Sequence, residues 1–352
     1  MDGSAELVFD AWIERLSLLG NAVRAEVVRR RGESGLHEPV AHQGGDTLYA
    51  IDRRVEPMIL EHARRWADEV GPVRLTCEGI NESGEVLLRD PDRAHDADSV
   101  WRVLIDPIDG TRNIMYDKRS AWFLGAVAPE SAGRGEARLS DCVASVMMEL
   151  PTSKANRVDD FAATAADRPV SCARSVLDET GAIVASEALS VAPSGATDLR
   201  HGWAQVSSFF PGTKALAADL MERIARETLG TVRAGEALVF DDQYLTTGGQ
   251  LVELICGRDR FCCDLRPLMF EIVRRNGGAA AEGLCCHPYD MAGLLIAQRS
   301  GAILTDGFGR DLDAPFGVRE SVHWCGYANR SLRDAIEPII RGWLREHGVA
   351  PP

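Results

Sequence analysis

The chain has 352 residues, of which 45% are hydrophobic and 26% charged; this is the balance of a globular protein long enough for one large or two ordinary domains. Its formal net charge of −14 argues against nucleic-acid binding, which needs a basic face. It also means that an anionic substrate would be repelled unless cations sit in the site. No apolar run approaches the ~20 residues of a membrane helix, and the first residues lack the basic-then-apolar build of a signal peptide, so a cytoplasmic protein without membrane partners is expected.

Residues 5–31 read as an amphipathic helix, with Leu7, Trp12, Leu16, Leu19, Val23 and Val27 near helical spacing. A polar loop follows over 37–45. A second helix is expected over 47–69, with Asp46 as its N-cap and Gly71-Pro72 as its stop. Residues 73–78 form an expected short strand ending on an acid, 81–84 a turn, and 90–99 a charged loop.

Next comes Val103-Leu104-Ile105-Asp106-Pro107-Ile108-Asp109-Gly110-Thr111-Arg112-Asn113. The apolar β-branched run reads as a buried strand, expected to end near Pro107 because proline cannot donate to a sheet ladder. Gly110 frees the backbone for close approach to a ligand, and Thr111 and Asn113 suit a helix start. Two acids followed by outward N–H groups would combine a site for a hard cation with a site for a phosphate.

Strands are expected over 122–127 and 142–150, with 129–141 as a hairpin tip. Residues 151–200 carry few signals, and a domain boundary is expected there. The remainder alternates: strand 204–210, helix 213–229, strand-like 238–244, helix 250–255, strand 261–264 ending on Asp264, helix 290–297 capped by Asp290, strand 302–305 and a terminal helix over 332–346. That alternation favours an α/β layered arrangement. The nine cysteines include the adjacent pairs Cys262-Cys263 and Cys285-Cys286. They show no C-x-x-C spacing, so neither a zinc site nor a disulfide framework is expected.

Glu78, Asp106, Asp109 and Asp290 form one constellation at strand ends, where ligands of α/β sheets bind. Each alone is an ordinary cap, turn or strand-end acid. Together they suit Mg²⁺, which takes oxygen ligands and shares them with substrate phosphates.

Asp106-Pro107-Ile108-Asp109-Gly110-Thr111-Arg112-Asn113 resembles the D-P-[IL]-D-G-T-x-N signature of the inositol monophosphatase family, Mg²⁺-dependent and lithium-sensitive phosphatases with the fructose-1,6-bisphosphatase fold. The segment from Gly45-Asp46-Thr47 through Asp52 to Glu56 resembles the family's D-x-x-T-x-x-D-x-x-x-E stretch, with Tyr49 where Thr is usual. Tyr289-Asp290-Met291-Ala292-Gly293 resembles its W-D-x-A-[AG] helix, with Tyr for Trp. Order and rough spacing agree from about residue 5 to 330. The G-E-E segment departs, reading Cys77-Glu78-Gly79.

The resemblance implies an αβαβα layered sandwich of α+β and α/β character. Residues 1–185 would be an α+β metal-binding half and 186–352 an α/β half. It implies two or three Mg²⁺ held by Glu78, Asp106, the Ile108 carbonyl, Asp109 and Asp290. Thr111 with Asp46 would orient and deprotonate the attacking water, with Glu78 as a further catalytic acid. Gly110 and Thr111 would bind phosphate, and Asp264 and Asn113 would contact substrate. The expected function is Mg²⁺-dependent hydrolysis of a small sugar, inositol or specialised-metabolite phosphate by a homodimer. The alternatives are a bisphosphate phosphatase (acting on a 3′-phosphonucleotide or fructose 1,6-bisphosphate) and a non-catalytic binding module. Residues 265–289 stand out as an apparent insertion before Asp290.

Overall fold

Trp12, Leu16, Leu19, Val23 and Val27 are all fully buried, which is the stripe that fixes helix α1 (Gly3–Arg30) against its neighbours. The computed structural model describes residues 3–31, 39–43, 46–81, 83–89, 100–130, 136–279 and 284–351, without the side chains of 3–4 and 39–50. Helix α2 (Ala50–Val70) packs beside α1 and buries Ile51, Val55, Ile59 and Trp66. Its start corrects the expected one. Residues before it form a hairpin, β1 (Pro39–Gln43) with β2 (Asp46–Tyr49), so Asp46 lies in a strand and does not cap the helix. The expected loop at 90–99 lies outside the described residues.

Among the described residues, an eight-stranded sheet has the order β10-β9-β8-β7-β6-β5-β3-β4. Its strands are β3 (Val73–Cys77), β4 (Glu85–Leu88), β5 (Trp101–Asp109), β6 (Ala121–Pro129), β7 (Ala144–Leu150), β8 (Arg157–Thr164), β9 (Ser171–Leu177) and β10 (Ile183–Ala188). The last three fill the stretch whose sequence carried few signals. β9 alternates weakly and β10 is exposed along its whole length, so neither shows the buried run or clean alternation that marks a strand. β10 straddles residue 185, where the two halves were expected to divide.

A five-stranded sheet follows, in the order β12-β11-β13-β15-β14. It comprises β11 (Gly202–Val206), β12 (Val239–Phe240), β13 (Asp259–Asp264), β14 (Ile303–Thr305) and β15 (Trp324–Tyr327). Between the sheets lie α5 (Thr247–Ile255) and α7 (Leu294–Arg299), which touch β6, β7 and β8 on one side and β13 and β14 on the other. Helices α4 (Lys214–Leu229) and α8 (Arg330–Glu346) cover the outer face of the second sheet. With α1 and α2 outside the first sheet, the layers run α-β-α-β-α, the expected sandwich. One apolar core fills the space between α1, α2 and the large sheet, and a second joins the two sheets through α5 and α7.

The apparent insertion after Asp264 opens with a helix, α6 (Arg266–Arg275), started by a proline in its first turn. One further expectation needs correction. Asp290 is not a helix cap: it sits in a 3₁₀ turn, Tyr289–Met291, and Gly293 precedes α7. All nine cysteines are free thiols.

Candidate metal centre

β5 does not stop at Pro107. It pairs with β3 as far as Ile105 and with β6 at Asp106 and again at Asp109, with an irregularity between. Opposite that irregularity β6 advances only from Leu124 to Trp122, so β5 carries an extra residue. Pro107 sits where no ladder donor is needed, the position a sheet tolerates for proline. The bulge aims both Asp106 and Asp109 into one cleft, also lined by Glu78, Ile108, Gly110, Thr111 and Asp290.

Carboxylate oxygens of Asp106, Asp109 and Asp290 lie within 4.8 Å of one another. Asp106 is 2% and Asp109 6% exposed, and neither makes an ion pair with a Lys or Arg among the described residues. Burial, reinforced by Asp109, Glu78 and Asp290, pushes Asp106 far above the usual carboxylate range. Burial and Asp290 push Asp109 up as well. Like charges crowded in a poorly solvated site raise one another's pKa in this way.

The frame around the acids is specific. Asp106 Oδ1 accepts the Ile108 N–H at 3.0 Å. Asp109 Oδ2 accepts the Thr246 hydroxyl at 2.5 Å and the Gly248 N–H at 2.6 Å, both from the start of α5. Residue 248 is a glycine because a Cβ there would stand 2.7 Å from Leu124 and 3.0 Å from that same carboxylate oxygen. Asp290 Oδ2 accepts the His287 N–H at 2.6 Å. Ser145 of β7 holds the turn beyond by donating to the Ala292 carbonyl at 2.6 Å.

Gly110 adopts φ 91°, ψ 35° ahead of the short helix α3 (Thr111–Met115), a left-handed conformation that favours glycine. Thr111 Oγ1 stands 2.9 Å from the Ile108 carbonyl and 3.2 Å from Asp52 Oδ1. The described acid beside Thr111 is Asp52, from the first turn of α2. The hairpin β1–β2 puts Asp46 upstream of α2, and its side chain lies outside the described ones. Glu78 lines the cleft and accepts the Tyr289 hydroxyl at 3.2 Å.

Both expected substrate contacts are committed elsewhere. Asn113 is 5% exposed and donates to the Leu245 carbonyl at 3.0 Å, tying α3 to the segment before α5. Asp264, 1% exposed, is held by Arg266. Arg266, not Asp264, lines the cleft, beside Phe209, Leu284 and Cys285. Sequence reasoning missed Asp52, Thr246, Gly248 and Phe209, and reached Arg266 only as part of the apparent insertion at 265–289. Asp52 was visible in the motif as its second acid, whereas Phe209 and Thr246 carried no signal.

The donor set suits a hard divalent cation: three clustered carboxylates, a fourth in Glu78, and the Ile108 carbonyl, all oxygen. Asp106 and Asp109, buried together without a Lys or Arg partner among the described residues, are the charges that a bound cation would offset.

No protein-family profile matches the chain, and no curated protein sequence matches it. Solved structures do. Over 93% of this chain and 93% of theirs, it superposes on fructose-1,6-bisphosphatase from Leishmania major at TM-score 0.61 and 14% identity. The extragenic suppressor protein SuhB from Bartonella henselae matches at TM-score 0.59 and 16% identity, covering 94% of this chain and 98% of that one. Inositol monophosphatase from Anabaena (Nostoc) sp. PCC 7120 matches at TM-score 0.56 and 13% identity, covering 97% of each. The chain has the layered fold shared by these inositol monophosphatase and fructose-1,6-bisphosphatase structures.

Proposed function

We propose that this protein is a Mg²⁺-dependent phosphomonoesterase of the inositol monophosphatase type, acting in the cytoplasm as a homodimer on a small phosphorylated metabolite. The observation that carries this reading is the juxtaposition of Asp106, Asp109 and Asp290 oxygens within 4.8 Å, in a cleft that also contains Gly110 and Thr111. The shared fold and the D-P-I-D-G-T segment support it. In this reading residues 1–185 bear most of the metal ligands, and 186–352 supply Asp290.

Glu78, Asp106, Asp109, Asp290 and the Ile108 carbonyl would hold two or three Mg²⁺. When bound, the cations supply the positive charge that offsets the phosphate dianion and the developing charge of the leaving oxygen. The N–H groups of Gly110 and Thr111 would donate to phosphate oxygens. Thr111 Oγ1 would orient the attacking water, passing a proton toward Asp52, its neighbour at 3.2 Å. Asp109 is kept in place by Thr246 and Gly248, so its oxygens need little reorganisation. Tyr289 does the same for Glu78. Lithium inhibition is expected as for the resembling family.

The test is phosphate release from a panel of inositol, sugar and nucleotide monophosphates, with Mg²⁺ and with a chelator. Activity that needs Mg²⁺ and disappears in Asp106→Asn supports the reading. Metal-independent release would overturn it, and no release from a folded protein that binds Mg²⁺ would favour a binding module instead.

A further inference from the structure

Arg266 is 5% exposed, yet it is one of the residues lining the cleft. Its Nε lies 2.8 and 3.0 Å from the two oxygens of Asp264, and Nη2 reaches the same carboxylate. Nη1 donates to the Leu284 carbonyl at 2.8 Å. The guanidinium carbon stands 4.8 Å from the Phe209 ring centroid and 5.6 Å from that of Phe210. Burial opposes its charge, but the Asp264 carboxylate holds it firmly protonated.

A guanidinium carries five N–H donors in a rigid fork. Three are engaged by Asp264 and Leu284, which leaves two, one on each Nη. Its carboxylate partner is Asp264; it pairs with none of Glu78, Asp106, Asp109 and Asp290. The fork is thus held on the wall of Phe209, Leu284 and Cys285, and the clustered acids do not draw it in. Burying a charge pair is costly unless it is well placed and fully hydrogen-bonded. Among the described residues those two donors have no acceptor, so a ligand in the cleft that Arg266 lines can take them.

We propose that Arg266 is a specificity-determining residue that binds a carboxylate on the leaving group of the substrate, with Asp264 as its positioning residue. The inference rests on the phosphomonoesterase reading above and deepens it. A carboxylate suits the site better than a second phosphate. It is a monoanion with two oxygens for two donors, and Asp264 already offsets part of the Arg266 charge. A second phosphate dianion would ask for more basic residues than the cleft wall holds, Arg112 being the other lining arginine.

The experiment compares 3-phosphoglycerate with glycerol 3-phosphate, which differ by a carboxylate in place of a hydroxymethyl group, and fructose 1,6-bisphosphate with fructose 1-phosphate. The kcat/KM ratio within each pair is measured with Mg²⁺ for wild type, Arg266→Lys, Arg266→Gln and the double variant Asp264→Asn/Arg266→Gln. The double variant removes both charges and so avoids stranding Asp264. Expected is a preference of about tenfold or more for 3-phosphoglycerate, the scale of a charge-assisted bidentate contact. It should be partly kept in Arg266→Lys and lost in the other two. A ratio near one in wild type, or one unchanged by the variants, overturns the proposal. So does a preference seen only for the bisphosphate. If no ester is turned over, the phosphatase reading fails. Calorimetric titration of the two three-carbon esters into the Mg²⁺-loaded protein then decides the role of Arg266. Tighter binding of 3-phosphoglycerate that is lost in the double variant supports it, and equal binding refutes it.

Discussion

The Tyr289 hydroxyl donates to Glu78 Oε1 at 3.2 Å, joining the 3₁₀ turn that carries Asp290 to the end of β3. The ring stacks on His287 with centroids 5.3 Å apart and planes inclined by 4°. One side chain thus links the turn that carries Asp290 to Glu78, 211 positions away.

Tyr289→Phe keeps the stack and removes only that hydrogen bond. Outer partners of metal ligands are worth roughly 10–100-fold in affinity, so Mg²⁺ binding should weaken by about tenfold with little change in thermal stability. Calorimetric titration with Mg²⁺ checks this, and an unaltered affinity would leave the phenol a packing role only.

Asp52 is the described acid beside Thr111. Loss of a general base costs roughly 10²–10⁴-fold. Asp52→Asn should lower kcat on that scale with a smaller change in KM, and Asp46→Asn should cost less. The reverse order in steady-state kinetics would assign the base to Asp46.

Burial and their acidic neighbours raise Asp106 and Asp109 above the ordinary value of 3.8. The native state then binds more protons than the unfolded chain above that pH, so stability falls as pH rises. Mg²⁺ should raise the melting temperature more at pH 8 than at pH 5. At 100-fold excess over Kd, ligand linkage alone amounts to about 2.7 kcal/mol. Differential scanning calorimetry with Mg²⁺ and with chelator reads the gap; a gap that shrinks at pH 8 would contradict the argument.

Away from the cleft, Asp259 at the start of β13 is 7% exposed. Burial, with Glu253 and Asp242 nearby, pushes it up to about 7 from 3.8. The folded protein retains that proton while the unfolded chain loses it, so unfolding free energy declines between about pH 4 and pH 7. Asp259→Asn should stabilise the protein at pH 8, by up to about 4 kcal/mol if three pKa units are recovered, and leave it unchanged at pH 4. Urea unfolding at both pH values is the measurement. A destabilised variant at pH 8 would show that the charged form makes a favourable contact.

Segments whose signal is local were legible. The stripe Trp12–Val27 marked α1, and the β-branched run before Asp106 marked β5. Segments held by their neighbours were not. The exposed strand β10 is a strand because β9 pairs with it, and the two residues of β12 exist only beside β11. Pro107 misled because a bulge relieves the donor requirement that would otherwise end the strand.

By itself the sequence determined the chemistry of the centre. Asp106, Pro107, Asp109, Gly110 and Thr111 are adjacent, and their backbone preferences and oxygen donors act over a few residues. Only the tertiary structure decided which side chains meet that centre. Thr111 and Asp52 are 59 positions apart and Asp109 and Thr246 are 137 apart. Arg266, two residues beyond Asp264, closes on it and takes its place at the cleft. Contacts of that kind depend on how sheets and helices stack, since a buried charge must find its partner wherever packing brings one within reach.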